Sequence, residues 1–367
     1  MGNTTIFYVL RFLPEYVKFC SYQIDQVDAM RLQLPIYQHP ALTVFIDDNQ
    51  PFLDSLAFRF DSRFPYKCMS DAQQAIDWLT EAHHAQQQKE KTIRMRYDED
   101  GMTLEKRSAL LDLSDICKTV QNKRRFCIPA VVVVDYAMPH MNGIEFCRKI
   151  QHIPCKKVLL TGNADEKIAV EAFNNHVIDF FIKKNEVGAL SQFEKELPQL
   201  QRDFFMERTA TLQDLLTRHT HAFFSDPAIV LLVAELYESH AIVEHYLYPN
   251  PSGILLFDGE GRAWLLVIET EGGIRSQIEI AENESAPASL IEALKKRTLI
   301  PFFHDTDGAY DERIHQHWRL YCRPAKTCTG LRKYFWALFE YPPEFLHHSM
   351  LCYADFLENR KAKTTVS

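Results

Sequence analysis

The sequence predicts an α/β chain: a parallel sheet flanked by helices, then a helical segment and a smaller α+β domain. Three observations carry this. Short buried-strand patterns alternate with helical patterns from Thr43 to Ile182, which implies parallel β–α units. Val131-Val132-Val133-Val134 reads as a strand buried on both faces, and Asp135 stands where it runs out. Beyond Pro249 the texture changes, and Gly253–Phe257, Asp258-Gly259-Glu260-Gly261 and Arg262–Glu269 read as a hairpin.

Each element has its own cue. Residues 1–40 read as a mostly helical extension closed by Pro35 and Pro40. Thr43–Ile46 is a short strand ending in Asp47-Asp48. Pro51 opens a helix to Phe60. Tyr66–Cys68 is a strand, and Ser70 or Asp71 caps a helix carrying Ala75, Ile76, Trp78 and Leu79. Residues 83–128 interrupt the alternation: a solvated Gln/Lys/Glu stretch, a hairpin within Thr92–Thr103, and a helix over Leu110–Val120. After Asp135, Pro139 and Asn142-Gly143 force a turn, and Ile144–Ile150 resumes with helical periodicity. Lys157–Thr161 is a strand, Asp165–Asn174 a helix, and Val177–Ile182 a strand ending in Lys183-Lys184.

From Val187 to about His221 the pattern is helical, with Pro198 as a break or kink. Phe193, Leu197, Leu200, Phe204 and Phe205 give it an apolar stripe. Asp226-Pro227 starts a helix that should run to about Tyr246. Ile274–Ile280, Trp318–Cys322 and Tyr334–Phe339 are further candidate strands. The expected division is thus an extension (1–40), an α/β domain (41–190) with an insertion at about 83–128, a helical linker or dimerisation region (191–248), and an α+β domain (249–367).

Composition narrows the function. A hydrophobic fraction of 46% supports real cores, and a net charge of −8 argues against a globally basic nucleic-acid binder. Nine cysteines, an odd number at irregular spacing, suit a reducing compartment better than a disulfide framework. With no apolar run able to span a bilayer and no signal-peptide pattern, a cytoplasmic protein without a membrane partner is expected.

The acidic residues form a constellation. Asp47-Asp48, Asp135 and Thr161 end three strands of one parallel sheet, and Lys183-Lys184 ends a fourth. Chemistry in such sheets collects at the carboxyl ends of strands. Three carboxylates aimed at one place repel unless a hard cation joins them, and Mg²⁺ suits oxygen ligands. A lysine and a threonine hydroxyl would meet a phosphoryl group, with Asp135 as the nucleophile that becomes an aspartyl-phosphate.

The order Asp47-Asp48, Asp135-x-x-Met138-Pro139-x-Met141-x-Gly143, Thr161-Gly162, then an aromatic strand ending in lysine resembles the receiver domain of two-component response regulators. The resemblance covers about residues 41–190. It implies a flavodoxin-like five-stranded sheet in the order 2-1-3-4-5. It implies that Asp135 accepts phosphate from a sensor histidine kinase or a phosphotransfer protein. It places Mg²⁺ on Asp48, Asp135 and the Ala137 backbone carbonyl, with Asp47 acting through water. Thr161 becomes the switch hydroxyl, and Phe180 or Phe181 stands in place of the usual switch tyrosine. Lys183 and Lys184 are both candidates for the phosphate-facing lysine, because Asn185 follows where a proline is usual. Phosphorylation is expected to switch a homodimer or an interdomain contact, with the apolar stripe after Val187 as the readout.

The rest of the chain resembles known families less closely. Residues 221–367 carry 14 Lys/Arg and 20 Asp/Glu, a net of −6, which argues against a DNA-binding output. Asp258-Gly259-Glu260-Gly261 reads as a hairpin turn rather than a phosphate loop, since no Gly-Lys-Ser/Thr follows. His315, His317, Cys322 and Cys328 match no zinc spacing. Ser252–Val267 resembles an uncharacterised output domain found behind some bacterial receivers, and Leu160–Asn174 resembles the same kind of regulator. Quorum-sensing response regulators are one candidate group, which would imply a role in cell-density signalling. The alternatives are a nucleotide-binding or enzymatic output gated by the receiver, and an atypical transcription regulator.

Overall fold

A computed structural model describes residues 33–60, 64–87, 95–97, 109–111, 116, 119–162, 166–184, 186–217, 221–306, 308–342 and 350–364. The chain divides into two compact units: 39–208 with the segment from Leu351, and 209–350 with the segment ending at Gln38. The first described element, β1 (Tyr37–Gln38), is a strand of the second unit. It lies within the extension expected to be helical; residues 1–32 fall outside the described residues.

The first unit is a doubly wound sheet. Its elements run β2 (Leu42–Ile46), α1 (Gln50–Phe60), β3 (Tyr66–Met69) and α2 (Ala72–Gln87). A two-stranded ribbon of β4 (Met95–Tyr97) and β5 (Ala109–Leu111) follows. Then come β6 (Pro129–Asp135), α3 (Gly143–Lys149), β7 (Lys156–Thr161), α4 (Glu166–Asn174), β8 (Phe180–Lys183) and α5 (Ala189–Thr217). The sheet order is β3-β2-β6-β7-β8, all parallel, which is the expected 2-1-3-4-5 arrangement.

Strand pleating sorts the core. Val44, Ile46, Val132, Val134 and Leu159 pack with Leu79 of α2, Phe146 of α3 and Ala169 of α4. The opposite face sets Phe45 against Phe60 of α1 and Phe193 of α5, at ring distances of 5.7 and 5.6 Å. Every residue of β6 is buried, each Val contributing roughly 1.5–3 kcal/mol of hydrophobic stabilisation. The stripe on α5 is therefore consumed at home: Phe193, Leu197, Phe204 and Phe205 are all buried. α5 also continues through Pro198 instead of breaking there.

The insertion departs from expectation where it is described. Ala109–Leu111 pairs as a strand with Met95–Tyr97, so the helix expected from Leu110 does not begin there. Thr119–Gln121 is a 3-10 turn. Ile116 is helical, and the rest of the expected hairpin and helix lies outside the described residues.

The second unit is mainly antiparallel. It continues with α6 (Pro227–Ser239), β9 (Ile242–Tyr248), β10 (Gly253–Asp258), β11 (Ala263–Glu269), α7 (Glu271–Asn283) and α8 (Ala288–Lys295). It closes with β12 (Leu299–Pro301), β13 (Cys322–Pro324), β14 (Lys326–Thr329) and β15 (Lys333–Glu340). The six-stranded sheet runs β1-β9-β10-β11-β15-β14, and β12 pairs with β13. A last helix, α9 (Tyr353–Thr364), belongs to the first unit.

Three elements of this unit differ from expectation. The helix from Pro227 stops at Ser239, not Tyr246, because Ala241 turns left-handed at φ 52° and β-branched Ile242-Val243 starts β9. Ile274–Ile280 is helical: Thr270 caps the Gly273 amide, and Ile274, Ile278 and Ala281 give a 3.6-residue period that the Gly272-Gly273 pair obscures. Trp318–Tyr321 is a 3-10 turn, and the strand starts only at Cys322. The hairpin at Asp258 is as expected. Its carboxylate accepts the Glu260 and Arg262 amides, which leaves those donors nothing to offer a phosphate.

Candidate functional site

Strand register brings the acidic residues together. Ile46 pairs with Val134, Asp135 with Leu160, and Thr161 with Lys183. All four strands therefore end at one edge, and Asp47, Asp135, Thr161 and Lys184 follow from it. The turn after Asp135 is locally determined. Asn142 caps α3 in a reciprocal capping box with Glu145. Gly143 is required by close approach, because a Cβ there would meet the Asp135 carbonyl oxygen at 2.5 Å and Leu159 at 2.7 Å.

Asp47, Asp48 and Asp135 each offer a carboxylate oxygen within 4.8 Å of the others. Asp47 and Asp135 are buried and Asp48 is exposed. Asp47 accepts the Asn49 amide at 2.9 Å, which fixes one of its oxygens. Burial pushes the Asp135 carboxyl above its ordinary range. Asp47 and Asp48 push in the same direction, and Lys184 only partly opposes them. The pocket is thus short of positive charge even with a lysine inside it. Oxygen donors so placed fit a divalent hard cation, held by these carboxylates; Ala137 is exposed in the turn just beyond.

The two lysines separate clearly. Lys184 lies 2.5 Å from Asp47 Oδ2 and 3.2 Å from Asp135 Oδ1. Burial works to lower its pKa, but these ion pairs outweigh that and hold it above the ordinary lysine value. Its ammonium also stands 4.3 Å from the Phe52 ring centre. Lys183 instead pairs with Glu166 at 2.9 Å on the surface. Replacing Lys184 by Ala should therefore cost at least about 2 kcal/mol, since it strands two buried carboxylates. Lys183→Ala, which breaks only a surface ion pair, should leave stability nearly unchanged. Urea unfolding of both variants checks the contrast.

Thr161 is buried, and its hydroxyl donates to the Ile182 carbonyl at 3.4 Å. Phe180 and Phe181 are both half-buried. Phe181 packs onto the sheet core, with its ring 6.4 Å from that of Phe173 in α4. Phe52 and Asn49 were not indicated by motif. Their signal is position alone, in the first turn after Asp47-Asp48. Elsewhere, His315 bonds Tyr310 and burial pushes the Cys322 thiol up to about 12; among the described residues the aspartates are the only three-residue metal-ligating group.

Residues 94–193 match the response regulator receiver domain family. That match begins inside the insertion, so Asp47 and Asp48 lie outside it. An uncharacterized response regulatory protein of Vibrio cholerae is 36% identical over 76 residues, 20% of this chain and 29% of that protein. The transcriptional regulatory protein HptR of Staphylococcus aureus is 25% identical over 91 residues, 25% of this chain and 35% of that protein. The chain thus spans about a third of the length of these curated relatives. The structure of the Legionella pneumophila response regulator LqsR superimposes with a TM-score of 0.73 at 28% identity, covering 90% of this chain and 98% of that one.

Proposed function

We propose that this chain, which carries the receiver domain of a two-component response regulator, is a switch set by phosphorylation of Asp135. The observation that supports it most is the convergence of Asp47, Asp48, Asp135 and Lys184 at one sheet edge. In this reading an Asp135 oxygen attacks the phosphorus of a phosphohistidine on a sensor kinase or phosphotransfer protein. The P–N bond breaks and the imidazole leaves. Mg²⁺ would be held by Asp48, Asp135 and the Ala137 carbonyl, with Asp47 through water, and would neutralise charge on the transferring oxygens. Lys184 releases Asp135 and takes up a phosphoryl oxygen. Thr161 turns its hydroxyl from Ile182 to another oxygen, which frees space for Phe181 to move inward.

The moving surface is then α4 and β8. Ile168, Val170 and Phe173 of α4 are 42%, 40% and 44% exposed, whereas the α5 stripe is already buried. This favours α4 over α5 as the face of a phosphorylation-dependent homodimer. Beryllofluoride with Mg²⁺ should double the mass seen by light scattering, and Phe173→Glu should prevent it. A monomer at all concentrations rejects dimerisation as the response.

Ala137 sets the lifetime. Two residues beyond the acceptor, it has no polar group to position a hydrolytic water. The phosphorylated protein should therefore persist for many minutes, and Ala137→Glu should shorten its half-life; decay of radiolabel at neutral pH measures both. A role in cell-density signalling within the cytoplasm is supported by the resemblance to quorum-sensing regulators. No described helix is long and apolar enough to cross a membrane. The second unit is proposed as the output, and its acidic balance weighs against sequence-specific reading of duplex DNA.

A further inference from the structure

The charge of the second unit is segregated by sequence. Between Glu312 and Glu340 the chain holds six Lys/Arg and no Asp or Glu. The pairing of its cations is segregated too. Arg262, Lys295, Lys296, Arg297 and Arg313 each form an ion pair with a nearby carboxylate. Among the described residues of 209–350, the six other Lys and Arg have no carboxylate partner, and five of them lie between 319 and 333. They are Arg319, Arg323, Lys326, Arg332 and Lys333, and all are exposed.

These cations follow one edge. β14 ends the six-stranded sheet, so its outer backbone groups face no strand among the described residues. Three of the cations are seated on rings of the adjacent β15. Arg323 stands 5.6 Å from the Phe339 ring centre, Lys326 4.7 Å from Trp336, and Lys333 4.9 Å from Phe335. Strand parity puts Lys326 on one face and the other two on the opposite face, so positive charge flanks the edge on both sides. Thr327 and Thr329 add exposed hydroxyls along β14. The β14–β15 turn is also held rigid. The buried Asp226 carboxylate accepts the Leu331 amide at 2.9 Å and the Arg332 amide at 3.3 Å.

We propose that the β13–β14–β15 edge binds the phosphate backbone of single-stranded nucleic acid. Unpaired, pre-seated cations are what a polyanion needs, because its binding comes from neutralising successive phosphates. No α-helix carries these cations, and Arg319 lies only in the short 3-10 turn Trp318–Tyr321, so nothing here offers a recognition helix to a major groove. A flexible single strand can follow a short edge and accept bonds from its amides, hydroxyls and cations. The net charge of the whole unit does not oppose this, since screening limits each phosphate to charges within about 8–10 Å.

The test is fluorescence anisotropy of the full-length protein with a labelled 20-nucleotide uridine RNA. Binding should weaken about 10²-fold from 50 to 200 mM KCl, with a log–log slope of about −3.5 for five cations. Arg332→Glu with Lys333→Glu should weaken binding at least tenfold at 50 mM KCl, and Arg275→Glu, the unpaired cation outside the edge, should not. Arg323→Gln with Lys326→Gln, which leaves the turn intact, should show the same direction of loss. Absence of binding at 50 mM KCl overturns the proposal. So does binding unchanged by both double variants. Tighter binding to polyglutamate would make the edge a surface for an acidic protein, and equal binding to duplex DNA would overturn the single-strand assignment.

Discussion

Asp135→Asn should abolish labelling by a phosphodonor and, in chelator, should raise the melting temperature of the protein. The two effects have separate causes. Asparagine keeps the shape but is no nucleophile, so incorporation of radiolabel from a small phosphodonor should fall to background. The stability gain comes from electrostatics. Burial and the neighbouring Asp47 and Asp48 hold the Asp135 carboxyl above its ordinary range, so at neutral pH the folded state bears the cost of ionising it. A like-charge contact at such distance costs about 3 kcal/mol at an effective dielectric of 20. Losing the Lys184 pair with Asp135 offsets part of the relief, which leaves a gain on the order of 1 kcal/mol. Adding Mg²⁺ should stabilise the native protein and do much less for the variant. Labelling that persists in Asp135→Asn would move the acceptor elsewhere. A variant melting below the native protein in chelator would show that Asp135 mainly anchors Lys184.

The acidic edge is legible in the sequence because its cues are local. A valine run, an aspartate at its end and an Asn-Gly turn each depend on a few neighbouring residues, and register then aligns the strands. The lysine is harder to read, since Lys183 and Lys184 are chemically alike. What separates them is strand parity: Lys184 shares the side of buried Ile182, and Lys183 points to Glu166. Parity can be read only once the end of the strand is known. α5 shows a different loss. Its stripe marks burial correctly but does not say against what, and the partners Phe45 and Phe60 lie far away in sequence.

The second unit was less legible for related reasons. The Gly272-Gly273 pair weakens the helical signal of α7, and the cap that rescues it is a single threonine side chain. β9 follows α6 with only two residues between them, so one apolar run spans both. Net charge misleads because it averages. The acid-free stretch from Arg313 to Phe339 sits in a net-negative half, and only the pattern of ion pairs shows which cations remain available.

Glu269→Gln should flatten the pH dependence of stability in the second unit. Glu269 ends β11 just before the Thr270 cap, and Gly273 lies so close that a Cβ would meet its Oε2 at 1.8 Å. The carboxyl is buried, and burial pushes its pKa up to about 7 from 4.5. A raised folded-state pKa means the folded protein binds the proton more tightly than the unfolded chain. The resulting stabilisation is complete below about pH 4.5 and is lost as pH rises through about 7. Two and a half pKa units correspond to a loss of about 3 kcal/mol by pH 8. Glutamine has nearly the same shape and no charge to bury. The variant should match the native protein near pH 5 and exceed it at pH 8 by up to about 3 kcal/mol, or about 6–12 °C in melting temperature for a unit of this size. Thermal unfolding of both proteins at the two pH values decides it. An equal difference between pH 5 and pH 8 in both would place the titrating group elsewhere.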